Sequence, residues 1–114
     1  MILAFSSCTR VTDYPDISGT WHVAMNPYAQ DIEFNMTITQ EPMTPVFSAI
    51  TDNPDIEFVE GGVTRISIGK FNMKITVDGT LYWLFGDITE DMITGFLRIG
   101  ENGDIVGYWN ALKE

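Results

Sequence analysis

The sequence predicts an all-β domain, an antiparallel up-and-down barrel of about eight strands. Three observations predict it. Apolar and polar residues alternate with a period of two from Gly19 to the C-terminus. Glycine, proline, asparagine and aspartate break that alternation at intervals of about 8–12 residues, the spacing of strand-joining turns. No stretch of helical period runs longer than about two turns.

The first strand, expected over 18–26, reads Gly19-Thr20-Trp21-His22-Val23-Ala24-Met25 and ends at Asn26-Pro27. Successive side chains of a strand point to opposite faces, so Trp21, Val23 and Met25 share a face that must find a core, and His22 lies on the other. The second strand, 31–40, alternates most cleanly, with Ile32, Phe34, Met36 and Ile38 against Asp31, Glu33, Asn35, Thr37 and Thr39. One apolar and one wet face mark a half-buried antiparallel strand. Between 41 and 62 the pattern is broken by Pro42 and Pro45. Thr44-Pro45 suits the N-cap and first position of a short helix through Ile50; a short strand over the same residues is the open alternative. Asp52-Asn53-Pro54-Asp55 is a turn, and 56–60 is a strand ending at Gly61-Gly62.

Three strands are expected over 63–69, 71–78 and 80–86. The last two are joined by Asp78-Gly79, a type I′ hairpin signal because both residues accept positive φ cheaply. Strands over 92–99 and 104–112 form a closing hairpin across Gly100-Glu101-Asn102-Gly103. A barrel of about eight strands has an interior just wide enough for side chains or one small ligand.

The 114 residues suit one domain, expected over 18–114, preceded by a tether and leader remnant over 1–17. Sixteen acidic against six basic residues give a net charge of −10. Such a field repels phosphate backbones and anionic headgroups. Arg10, Arg65, Lys70, Lys74, Arg98 and Lys113 are scattered along the chain. Nucleic acid is therefore not an expected partner, because counterion release needs a clustered basic face.

Cys8 is the only cysteine, which excludes an intramolecular disulfide and a cysteine-rich zinc site. It follows Met1-Ile2-Leu3-Ala4-Phe5-Ser6-Ser7, a short apolar run and two small residues. This resembles the end of a bacterial lipoprotein signal peptide, in which the cysteine becomes the lipidated N-terminus. The resemblance implies a cell-envelope location, periplasmic or at the outer membrane, with the membrane met only through a lipid anchor. An N-terminal segment with an incidental cysteine is the alternative reading.

Candidate chemistry is sparse. His22 is the only histidine and has no nearby Ser, Cys or second His to form a nucleophilic set. Asp52, Asp55 and Glu57, and likewise Asp87, Glu90 and Asp91, lack the calcium-loop spacing and read as solvated turns. No catalytic residue, metal ligand or cofactor is expected. The aromatics are more informative, since most fall on strands and fill a core. Tyr82-Trp83-Leu84-Phe85, however, is apolar on both faces, so one face is covered or presents a binding patch.

Ile17-Ser18-Gly19-Thr20-Trp21 resembles the Gly-x-Trp strand that opens lipocalin-like and avidin-like barrels, the calycin group, and Ile93-Thr94-Gly95-Phe96 with Gly107-Tyr108-Trp109-Asn110-Ala111 resembles their closing hairpins. In that group the tryptophan plugs one end of the barrel. Similar short lipocalin-like domains follow lipoprotein signals in gut bacteria. Barrel periodicity, surplus aromatics and the absence of catalytic sets lead to the expectation of a non-catalytic module that binds a small apolar or aromatic ligand, or a partner, at the barrel end away from Trp21. The expected wall is Phe34, Met36, Phe71, Met73 and Trp83, with Tyr108 as a polar handle at the rim. The alternative function is a structural or interaction barrel with a solid core, and a carboxylate-pair hydrolase is a third. The lipoprotein reading predicts that protein from a membrane fraction begins at an acylated Cys8 by mass spectrometry. A free thiol on a chain that still carries Met1 refutes it.

Overall fold

A computed structural model describes residues 13–100 and 103–114. Cys8 and most of the expected leader remnant and tether lie outside the described residues. The eight strands are β1 (Gly19–Met25), β2 (Ile32–Gln40), β3 (Val46–Thr51), β4 (Ile56–Val63), β5 (Lys70–Val77), β6 (Thr80–Thr89), β7 (Met92–Arg98) and β8 (Ile105–Lys113). Each pairs antiparallel with the next, and β8 returns to β1 from Trp21↔Lys113 to Met25↔Trp109. The sheet is therefore a closed up-and-down barrel with no free edge.

The barrel is shut at the end where β1 begins. Trp21 points inward at 1 % exposure, and its indole N–H donates to the Ile17 carbonyl at 2.9 Å. Residues 13–17 thus belong to the fold rather than to a tether. Gln40 Oε1 accepts from the Ile17 amide, and its Nε2 donates to the Pro15 and Thr44 carbonyls. One side chain at the end of β2 so ties the entering segment to the β2–β3 loop. Lys113 lies over the Trp21 ring, 5.9 Å from its centre.

The interior is a run of aromatic rings. Phe58, Phe47, Phe71 and Trp109 follow one another with centres 5.6, 5.3 and 5.3 Å apart. Two glycine positions make room for them. A Cβ on Gly61 would lie 2.3 Å from Phe47 Cζ. Gly86 and Gly95 face each other across β6 and β7, and a Cβ on Gly86 would lie 3.0 Å from the Trp109 ring. Trp109 fills that space and satisfies its indole N–H on the Phe85 carbonyl at 3.1 Å.

Three local expectations are settled by parity. The residues of 44–50 enter strand β3 rather than a helix, which lets Phe47 point inward opposite Gly61. In β4 the register shifts between Phe58 and Glu60, so Ile56 and Phe58 face in before the irregularity and Gly61 and Val63 face in after it. The expected strand over 63–69 does not form; the chain turns there. Continuing the alternation from inward Val63 would bury Arg65 and Ser67. Instead the Arg65 carbonyl accepts from the Ile68 and Gly69 amides, and Gly69 takes a φ of 68°. The hairpin at Asp78-Gly79 has φ values of 51° and 84°, as a type I′ turn requires.

Because Trp21 both fills and closes its end, Trp21→Ala is expected to lower stability by roughly 3–5 kcal/mol in denaturant unfolding. A loss below about 1 kcal/mol would contradict its place as the plug.

Candidate functional site

Four of the six expected site residues are buried in the core, and two of these, Phe71 and Met73, also line the cleft described below. Phe34, Met36, Phe71 and Met73 are 4, 0, 1 and 1 % exposed. Trp83, expected to face inward, faces out. Its neighbours Tyr82 and Leu84 take the inward positions because the register sets them beside inward Ile75 and Met73. Tyr108 also faces out, at 65 % exposure, because the next residue, Trp109, turns in.

The outward positions of β6, β7 and β8 build a band of aromatic side chains. Phe85 lies directly opposite Phe96, and Phe96 directly opposite Tyr108. The rings of Trp83 and Phe85 stack with centres 6.2 Å apart, and those of Phe85 and Phe96 at 5.5 Å. The register therefore brings two of the expected residues, Trp83 and Tyr108, to opposite sides of one band. Phe85 and Phe96 were not anticipated. The signal for Phe85 lies in the doubly apolar Tyr82–Phe85 run, since the inward pair leaves an outward pair uncovered, whereas Phe96 joins it only through the register of β7.

Cations frame the band. Lys74 Nζ sits 4.1 Å from the centre of the Trp83 ring, and the Arg98 guanidinium lies 5.1 Å from Phe96 and 5.8 Å from Phe85. Both are cation–π distances. Lys74 also reaches Glu60 at 3.2 Å, and Lys70 pairs with Asp87. Between these groups runs a predominantly apolar cleft of about 520 Å³, open to solvent, walled by Lys74, Trp83, Phe85 and Phe96 with Asn72 and Asp87 at its edge. The Trp83 indole N–H is shielded from solvent and meets no acceptor among the described residues. Lys70 and Lys74 share one face of β5, and only the strand register, Lys74↔Trp83 and Trp83↔Arg98, brings Arg98 to the same wall.

Elsewhere on the outer wall, β1 and β2 carry a polar network. His22 Nδ1 is 3.0 Å from Asn35 Oδ1 and Nε2 is 2.7 Å from Glu33 Oε1, while Asn35 Nδ2 donates to Asp52 at 3.0 Å. A surface imidazole between an amide and a carboxylate has no nucleophile to activate. Among the described residues no three His, Cys, Asp or Glu side chains gather to hold a metal ion.

No protein-family model, no curated protein and no solved structure matches the chain. The site therefore rests on its own geometry.

The hydrogen bond to Asn35, followed by that to Glu33, raises the His22 pKa above its ordinary 6.5. Proton NMR of the imidazole should give a midpoint above 6.5, and Asn35→Ala together with Glu33→Gln should return it toward that value. A raised folded-state value means the protonated ring favours folding. That contribution is complete below the unfolded-state pKa and disappears as pH rises through the folded one. A midpoint at or below 6.5 would show that neither bond forms in solution.

Proposed function

We propose that the protein is a non-catalytic binding module for a small apolar or aromatic ligand, and that the ligand seats in the cleft on the outer wall of β5–β7. The observation that carries this reading is where the surplus aromatics sit. Phe34 and Met36 are consumed by the core, whereas Trp83, Phe85 and Phe96 stand outside it around an open cleft that the buried Phe71 and Met73 also line. Its volume of about 520 Å³ lies within the range of small-molecule sites. A soluble domain rarely leaves stacked rings half-exposed on one wall without a use for them.

The same proposal keeps the module at the cell envelope, held by lipid on Cys8. The small-residue–cysteine sequence supports that placement. Kinship with the calycin group is likewise a proposal, supported by the Gly19-Thr20-Trp21 opening and by an inward tryptophan at the closed end.

Trp83 is the half-exposed member of three tryptophans, so ligand entry should register in tryptophan emission. Titration with a panel of hydrophobic probes is expected to give a saturable change. Phe85→Ala with Phe96→Ala should weaken that binding about tenfold or more, while circular dichroism and the thermal transition stay close to the parent. No saturable change with any probe would favour the structural or interaction barrel instead. Saturable binding that survives the double substitution would move the site off this wall.

A further inference from the structure

We propose that the closed end of the barrel is a membrane-docking face that seats Met43, Ile66 and Ile68 in the interfacial layer of a bilayer with neutral headgroups. The inference rests on the reading of Cys8 as the lipid-bearing residue and adds the face that the anchor brings to the membrane.

Placement comes from the strand order. The chain enters at the closed end, and the β2–β3 and β4–β5 connections lie at that same end because each strand reverses the one before. Both connections are tied to the entering segment. Gln40 Nε2 donates to the Pro15 and Thr44 carbonyls, and the Ile66 amide donates to the Asp13 carbonyl at 2.6 Å. Ile66 also lines a small cleft with Pro15 and Ile17. These two loops therefore flank the point from which the chain leads back to Cys8. The five residues from Cys8 to Asp13 span at most about 18 Å. Strand β2 alone, nine residues, runs roughly 30 Å. A bilayer holding Cys8 is thus within reach of the closed end and not of the open one.

Composition says what the two loops present there. Exposed turns ordinarily carry Gly, Asn, Asp or Ser. These carry Met43 at 65 %, Ile68 at 59 % and Ile66 at 39 % exposure. Met43 follows Pro42 in a four-residue turn that the Thr44 amide closes on the Glu41 carbonyl, and its φ is 63°. Glycine or asparagine takes a positive φ at that position at least cost. Methionine there adds backbone strain and, being exposed, gains no core packing in return. Strain kept at an exposed apolar side chain points to a use outside the core.

Charge selects the headgroup. Among the described residues of this end, Asp16, Glu41, Glu90 and Asp91 outnumber Arg65 and Lys113. Anionic lipid would be repelled, and no basic patch is present to hold it. The contact is therefore burial of apolar side chains among neutral headgroups, as for other interfacial anchors.

Cys8 is the only cysteine, so the full chain can be coupled through it to a maleimide lipid in phosphatidylcholine vesicles. The result then does not depend on whether the cell acylates Cys8, which mass spectrometry reads separately. A tryptophan is placed at the closed end by Ile68→Trp or at the opposite end by Ile105→Trp, and its emission is followed as the lipid is replaced by one brominated on its acyl chains. Quenching beyond that of the parent should be at least about twice as large for Ile68→Trp as for Ile105→Trp. Met43→Ser in the Ile68→Trp chain should remove most of it, and phosphatidylglycerol in the vesicles should weaken it. All three positions are exposed, and an unchanged thermal transition confirms that the fold is kept. Equal quenching at the two ends, or quenching that Met43→Ser leaves unchanged, overturns the inference and leaves Cys8 standing as the anchor. Stronger quenching on phosphatidylglycerol overturns the choice of a neutral surface. An Ile68→Trp signal that follows protein concentration rather than brominated lipid assigns the face to a second copy and also overturns it. An unacylated Cys8 in membrane-fraction protein instead removes the anchor on which the inference rests.

Discussion

Closure of the sheet is the constraint on which the rest depends. Once β8 pairs with β1, the number of strands fixes the interior, and that interior holds side chains and little else. Trp21, Trp109, Phe47, Phe58 and Phe71 already claim much of it. Gly61, Gly86 and Gly95 show how full it is, because each sits where a Cβ would strike a ring or a neighbouring backbone. A barrel so filled has no room for every aromatic in this sequence, and the remainder must stand on the outer wall.

Parity then decides which aromatics go where. Within Tyr82-Trp83-Leu84-Phe85 either pair could have faced inward on hydrophobicity alone. Pairing with β5 settles it: Tyr82 lies opposite Ile75 and Leu84 opposite Met73, so Trp83 and Phe85 face solvent. The same rule at the end of the chain turns Trp109 in and Tyr108 out. Where the rule would have buried Arg65 and Ser67, the strand gives way to a turn at 64–69. Where it would have failed in β4, an irregularity at Val59 restores it. Each departure from regular alternation thus protects the same filled interior.

These particulars mark how far the residues alone could be read. Period-two alternation, the Asp78-Gly79 hairpin and the inward Trp21 are local signals, and they specify the strands and the barrel class. The inward choice between two apolar faces is not local, because it depends on which residue of the neighbouring strand lies opposite. That is why the doubly apolar run is legible as a strand needing cover on both sides, while the outward place of Trp83 follows only from its neighbours in β5. The place of Ile17 was hidden for a similar reason. Its burial depends on Gln40, 23 residues away, which gives the entering segment its hydrogen-bond partners.

The division between core and band also explains how a small barrel can carry an outward aromatic band without weakening itself. Interior residues are packed against one another, so a ligand placed among them would have to displace ring contacts that hold the sheet together. Residues of the outer band contribute less to closure, and exchanging them costs mainly surface contacts. Exchanges at Lys74, Trp83, Phe85 and Phe96 therefore leave the core contacts in place, while Phe71 and Leu84, directly behind them, keep the wall in register. The rigid sheet fixes the spacing of the band, and the spacing of the band fixes which chemistry it can meet.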